Sequence, residues 1–135
     1  MQDQRPDLRI EVETNGTIAP TPALVGTVHL FVVSPKLQNS GVAEKRRIRL
    51  PVLRAFVALQ STLKFVVTGP EDVKEAAVVA ESSEFPVERV WVMPETTSAT
   101  AVGALIASVA PAAIQAGFKV SSRLHVLAWG DARCM

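Results

Sequence analysis

Apolar and polar positions alternate through residues 8–14 (LRIEVET), the period-two pattern of a half-buried strand, and the run meets the turn pair Asn15-Gly16. Residues 27–34 (TVHLFVVS) are β-branched and mostly apolar, which predicts a strand covered on both faces. Pro51 opens a predicted helix whose apolar positions Val52, Leu53, Phe56, Val57 and Leu59 share one face. A third strand is predicted at 63–68 (LKFVVT). After Gly69-Pro70 follows a helix at 71–82, with carboxylates early, where they suit the positive end of its dipole. Residues 89–93 (RVWVM) predict a fourth strand, 99–116 a helix stopped by Gly117, and 123–129 (RLHVLAW) a last strand. The crossover at 17–27 is short and is expected to be irregular. Helices alternating with apolar strands predict an α/β fold with a parallel sheet, either open or part of a barrel.

Polar residues gather where these strands stop. The first strand releases Glu13, Thr14 and Asn15, the second Ser34, Pro35 and Lys36, the third Thr68, and the fourth Pro94, Glu95 and Thr96. In a parallel sheet all carboxyl ends lie along one edge, and ligands of α/β folds bind there. Each cluster has a plainer explanation. Ser-Pro opens turns, Asn-Gly makes hairpin turns, and a lysine is often simply solvated. Their recurrence at four strand ends favours a shared pocket.

Composition narrows the function. The 135 residues suffice for one domain, taken here as 1–135, and 48% hydrophobic against 20% charged residues supports a packed core. A net charge of +1 gives no field for a nucleic acid or a membrane surface, and Lys45-Arg46-Arg47 with Arg49 reads as a solvated face. The single cysteine, Cys134, excludes an internal disulfide, suggests a reducing compartment, and excludes an iron–sulfur cluster held by this chain's own thiolates. The polar start shows no signal peptide, and the uncharged stretch 96–118 is Ala-rich and broken by Pro111, as in a packed soluble helix. A cytoplasmic protein is expected.

The segments "IEVETNGT" (10–17), "VSPKLQNSG" (33–41), "FVV" (65–67), "RVWVMPE" (89–95) and "SSRLHVLAWGDAR" (121–133) follow one another as in 7-carboxy-7-deazaguanine synthases, and the chain resembles that family over nearly its whole length. These are radical S-adenosylmethionine (SAM) enzymes of queuosine and deazapurine biosynthesis. The resemblance implies a parallel-sheet partial barrel of the radical SAM type, here lacking the first strands. It implies a four-iron, four-sulfur cluster, SAM and magnesium, and the conversion of 6-carboxy-5,6,7,8-tetrahydropterin to 7-carboxy-7-deazaguanine. Carried over by position, Ser34, Pro35 and Lys36 fall on one SAM-contacting segment and Met93, Pro94, Glu95 and Thr96 on a second. Glu13, Thr14 and Asn15 fall on the floor of the pocket, and His125 on a histidine that faces the pterin. A histidine packed in an apolar strand is the alternative for His125.

The sequence also departs from the family. The CxxxCxxC cluster loop, the glycine-glycine-glutamate-proline turn and the magnesium ligand have no counterpart here. Thr96 replaces the glycine usual after "MPE", and the end is Cys134-Met135 where relatives more often have glycine and arginine. The expectation is the C-terminal part of such an enzyme, inactive alone and completed by a cluster-bearing N-terminal chain. A sheet without its first strands would otherwise oligomerise or aggregate through its edge. A cluster-free remnant that binds SAM or a pterin, and a decayed gene product, are the alternatives.

Overall fold

The computed structural model describes residues 7–130; residues 1–6 and 131–135 fall outside it, and with them Cys134, Met135 and the last three residues of the final motif. Five strands form one sheet: β1 (Glu11–Thr14), β2 (Leu30–Val33), β3 (Ser61–Val67), β4 (Val90–Pro94) and β5 (Lys119–Val120). Every neighbouring pair is parallel, and the strands lie side by side in chain order, β1-β2-β3-β4-β5. A doubly wound sheet reverses its strand order in the middle and places helices on both faces. Winding in one direction instead leaves one face covered and the other open.

The burial pattern shows which face is which. Phe31 and Val33, then Leu63, Phe65 and Val67, then Val90 and Val92 are all buried, and they pack with Leu53, Phe56, Val73, Ala76, Val109 and Ala113 into one core. The helices supplying the latter residues are α3 (Leu50–Val57), α4 (Pro70–Ser82) and α5 (Val102–Ala116). Val32, Lys64, Val66, Trp91 and Met93 alternate with the core residues along the strands and remain half-buried on the opposite face. The helical cover uses ordinary local chemistry. Pro51 and Pro70 stand at helix starts, and α5 runs through the exposed Pro111 to stop at Gly117, whose φ of 78° is left-handed. No helix among the described residues is long and apolar enough to cross a membrane.

The structure corrects three sequence expectations. Residues 123–129 form no strand: they contain α6 (Leu124–Trp129), in which only Val126 is buried while Leu124 and Trp129 stand 75% and 54% exposed. A short apolar run carries too little periodicity to separate strand from helix, and here only one side chain finds the core. The last strand lies earlier, at Lys119–Val120, where Lys119 registers with Trp91. The crossover at 17–27 is irregular only through residues 17–21 and then holds α1 (Pro22–Thr27), with Thr21 accepting the Leu24 N–H at 3.3 Å as N-cap and Pro22 in the first turn. Finally, Arg47 is no part of a solvated face. It ends the single-turn helix α2 (Glu44–Arg47) with its side chain only 7% exposed.

Candidate functional site

The carboxyl ends of β1 to β4 open onto one edge of the sheet, and two adjoining clefts lie there. The first, about 330 Å³, is lined by Glu13, Thr14 and Asn15 after β1, Ser34 and Lys36 after β2, Lys64 and Val66 of β3, and Met93 of β4. The second, about 390 Å³, shares Ser34, Lys36 and Val66 with it and adds Pro35, Asn39, Thr68 and Glu95 among its walls. Segments up to eighty residues apart thus meet as the parallel reading requires: Asn15, Lys36 and Met93 line one hollow, and Lys36 and Glu95 line its neighbour.

Not every sequence candidate joins them. Pro94 ends β4 on the helix-covered side, registered with Val67 and buried. Thr96 lies beyond the second cleft, its hydroxyl accepting the Ser98 N–H at 3.1 Å in a local turn. His125 is exposed on α6 rather than packed in a strand, with its Nε2 3.4 Å from an Arg123 Nη2. Arg123 in turn stands 3.7 Å from a Glu95 carboxylate oxygen, which ties the segment before α6 to the rim.

The β1 turn is stitched by its own side chains. Thr14 Oγ1 accepts the Gly16 N–H at 3.2 Å, and Asn15 Oδ1 accepts both the Thr17 N–H at 3.1 Å and the Thr17 hydroxyl at 2.8 Å. Pro35 and Leu37 are buried on either side of Lys36, so the exposed lysine is held between two anchored neighbours. Its ammonium has no carboxylate within ion-pair distance among the described residues.

Lys64 was missed in the sequence. It sits mid-strand on the open face, 27% exposed, and its ammonium lies 3.4 Å from Glu13 across the first cleft. The signal was present in "LKFVV", since a lysine inside an otherwise apolar strand must find a polar wall or a ligand. With Glu13 engaged by Lys64, the cleft presents two ammonium groups against one carboxylate and suits a ligand that carries a negative charge.

The second cleft is braced by Asp72 in the first turn of α4. One carboxylate oxygen accepts the Asn39 side-chain amide at 2.8 Å, the Thr68 N–H at 2.8 Å and the Thr68 hydroxyl at 2.7 Å. Burial pushes this carboxyl up, but the hydrogen bonds from Asn39 and then Thr68 outweigh it and hold the group below its ordinary value of 3.8. A carboxyl lowered in the folded state binds fewer protons than in the unfolded chain. It therefore contributes stability above pH 3.8, lost as the pH falls through the lower folded value. Wild type is expected to be more stable than Asp72→Asn at pH 7, the gap closing below pH 3.8 in urea titrations; a gap independent of pH would show that the charge does not act.

Sheet and rim together define a parallel α/β protein with a polar binding edge. The particular family comes from direct comparison. Over 92% of its length the chain is 37% identical to the 7-carboxy-7-deazaguanine synthase of Pyrobaculum aerophilum, and over 90% of its length 35% identical to that of Halobacterium salinarum. The chain is a homologue of the 7-carboxy-7-deazaguanine synthases. Each match takes in 54% of the relative, so the chain spans about half the length of the curated relatives it matches. No protein-family model matches the chain.

The family's cofactors differ in how they suit these residues. SAM suits the rim: Lys36 offers an ammonium for a carboxylate, Ser34 and Asn15 offer donors and acceptors for hydroxyl groups, and Val66 and Met93 offer apolar surface. A cluster does not suit this stretch, which has one cysteine in all, and no group of three His, Cys, Asp or Glu is placed for a metal among the described residues.

Proposed function

We propose that this chain forms the later part of a 7-carboxy-7-deazaguanine synthase-like enzyme, its sheet being half of a radical SAM-type partial barrel. The clefts at the carboxyl edge hold SAM and face the pterin substrate. The observation that carries this reading is the convergence of Asn15, Ser34, Lys36 and Met93 on one hollow in a homologue of those synthases. When bound to a complete enzyme, SAM supplies the radical chemistry; this chain's residues bind and orient. The Lys36 ammonium holds the methionine carboxylate, Ser34 and Asn15 take hydroxyl groups of the ribose, and Val66 and Met93 exclude water beside the nucleoside. The cluster and magnesium are held by sequence outside this stretch, in the same or another polypeptide. The lone cysteine favours a second reading, a SAM- or pterin-binding module that works without a cluster.

Calorimetry separates these readings. SAM is expected to bind the chain, and Lys36→Met to weaken binding about tenfold to a hundredfold, since a hydrogen bond to a charged group is worth roughly 1.5–3 kcal/mol. No heat with SAM in wild type refutes the assignment of the clefts. Anaerobic co-expression with a polypeptide carrying a CxxxCxxC loop decides between enzyme and module: SAM cleavage is the enzyme's signature, and binding without cleavage the module's.

A further inference from the structure

The rim segment from Ser34 to Val42 has no regular structure apart from the single turn Gln38–Ser40, yet it must present Lys36 to both clefts. What fixes it comes from two helices lying outside the clefts. Arg47, at the end of α2, donates from Nε to the Val42 carbonyl at 2.9 Å and from Nη1 to the Lys36 carbonyl at 3.4 Å. The same Nη1 meets a Glu75 carboxylate oxygen of α4 at 2.8 Å. Both Glu75 oxygens accept the Gln38 N–H, at 3.0 and 3.2 Å. One ion pair therefore grips the segment at residues 36, 38 and 42.

Burying a guanidinium with 7% of its side chain exposed carries a desolvation cost that one carboxylate offsets poorly; its remaining N–H groups must be used. Here they are used on the two ends of the lysine's own loop. The planar fork also matters, because it reaches Val42, Lys36 and Glu75 at once, which an ammonium on the same stem does not. We infer that Arg47 and Glu75 are positioning residues for Lys36, clamping its loop so that the ammonium faces the clefts. The functional half of this inference rests on the proposed role of Lys36 in holding SAM.

Two measurements test it separately. In Glu75→Gln, an isosteric change that removes the charge facing Arg47, the Gln38 amide is expected to exchange with deuterium at least tenfold faster, while the Phe65 and Val67 amides of β3 keep their rates. Unchanged exchange at Gln38 overturns the clamp. SAM calorimetry then forms a double-mutant cycle. Glu75→Gln is expected to weaken binding about fivefold when Lys36 is present and to add nothing in Lys36→Met, because its effect passes through that side chain. An equal loss in both backgrounds assigns the pair to the fold alone and overturns the positioning role. Arg47→Lys, which keeps a charge but lacks the fork, is expected to behave as Glu75→Gln; full retention of Gln38 protection there counts against the clamp. A wild-type chain that takes up no SAM refutes the proposed function, and the exchange data alone then decide the clamp.

Discussion

Arg89→Ala is expected to destabilise the chain by about 3 kcal/mol, with the SAM binding proposed for the opposite edge of the sheet retained in the fraction that folds. Arg89 stands just before β4, and its guanidinium lies 5.3 Å from the Phe85 ring centroid. Its Nε donates to the Ser61 carbonyl at 2.7 Å, Nη1 to the Val57 carbonyl at 3.0 Å and Nη2 to the Leu59 carbonyl at 3.0 Å. Val57 is the last residue of α3, so this cation caps a helix end whose carbonyls lack intrahelical partners and carry the negative end of the dipole. Alanine strips donors from three carbonyls at once. Hydrogen bonds to a charged group are worth about 1.5–3 kcal/mol each, and water reaching the half-buried site recovers part of that. For a chain of this length the melting temperature should fall by about 10 °C in a circular dichroism melt. Arg89→Lys should restore less than half of the loss, since an ammonium cannot serve the three acceptors in their fixed fan. A fall of under 2 °C in Arg89→Ala would show that water replaces the guanidinium.

Arg89 also illustrates which parts of the molecule sequence patterns reveal. The strands that build the core, β2, β3 and β4, are legible because their side chains obey a simple period and because turn residues bound them. Their carboxyl ends are legible for the same reason, since a parallel sheet sends every strand end to one edge. That logic places Glu13, Asn15, Ser34, Lys36 and Glu95 along the clefts without any knowledge of side-chain geometry. Elements held by other means are not legible. The helix α1 has no buried residue, so no apolar stripe announces it, and its Thr21-Pro22 start is the only cue. The strand β5 spans two residues, too few for a period. In α6 a run of Leu, Val and Trp imitates a strand although a single valine is buried. Long polar side chains are the hardest case. Arg47, Glu75 and Asp72 find partners 28 to 37 residues away in sequence, two through side chains and one through the Gln38 backbone N–H, and no composition or spacing reports such pairings.

Gly16→Ala joins the two themes, because this glycine serves core and rim together. Its φ of +73° lies in the left-handed region, and a Cβ there would stand 2.7 Å from Leu53 Cδ2 and 2.9 Å from Val33 Cγ1. Both neighbours are fully buried at 0% exposure, so neither has solvent to move into. The conformational part of the cost is about 1 kcal/mol, and crowding a packed core adds about 1–3 kcal/mol. A total loss of roughly 3 kcal/mol is expected in urea unfolding. Gly41 provides the control, since its φ is +78° but a Cβ there meets nothing within 4 Å. Gly41→Ala should show the conformational part alone, about 1 kcal/mol, and the difference between the two variants measures the crowding. The contacts also give the strain a direction. Leu53 and Val33 lie on the core side, so relief requires the turn to move outward, taking Asn15 away from Ser34 and Lys36 in the first cleft. The SAM affinity proposed for the cleft should therefore fall in Gly16→Ala even under conditions where the variant is fully folded. Equal stabilities for the two variants would mean that Leu53 and Val33 yield to the methyl group, and that the turn is not wedged against the core.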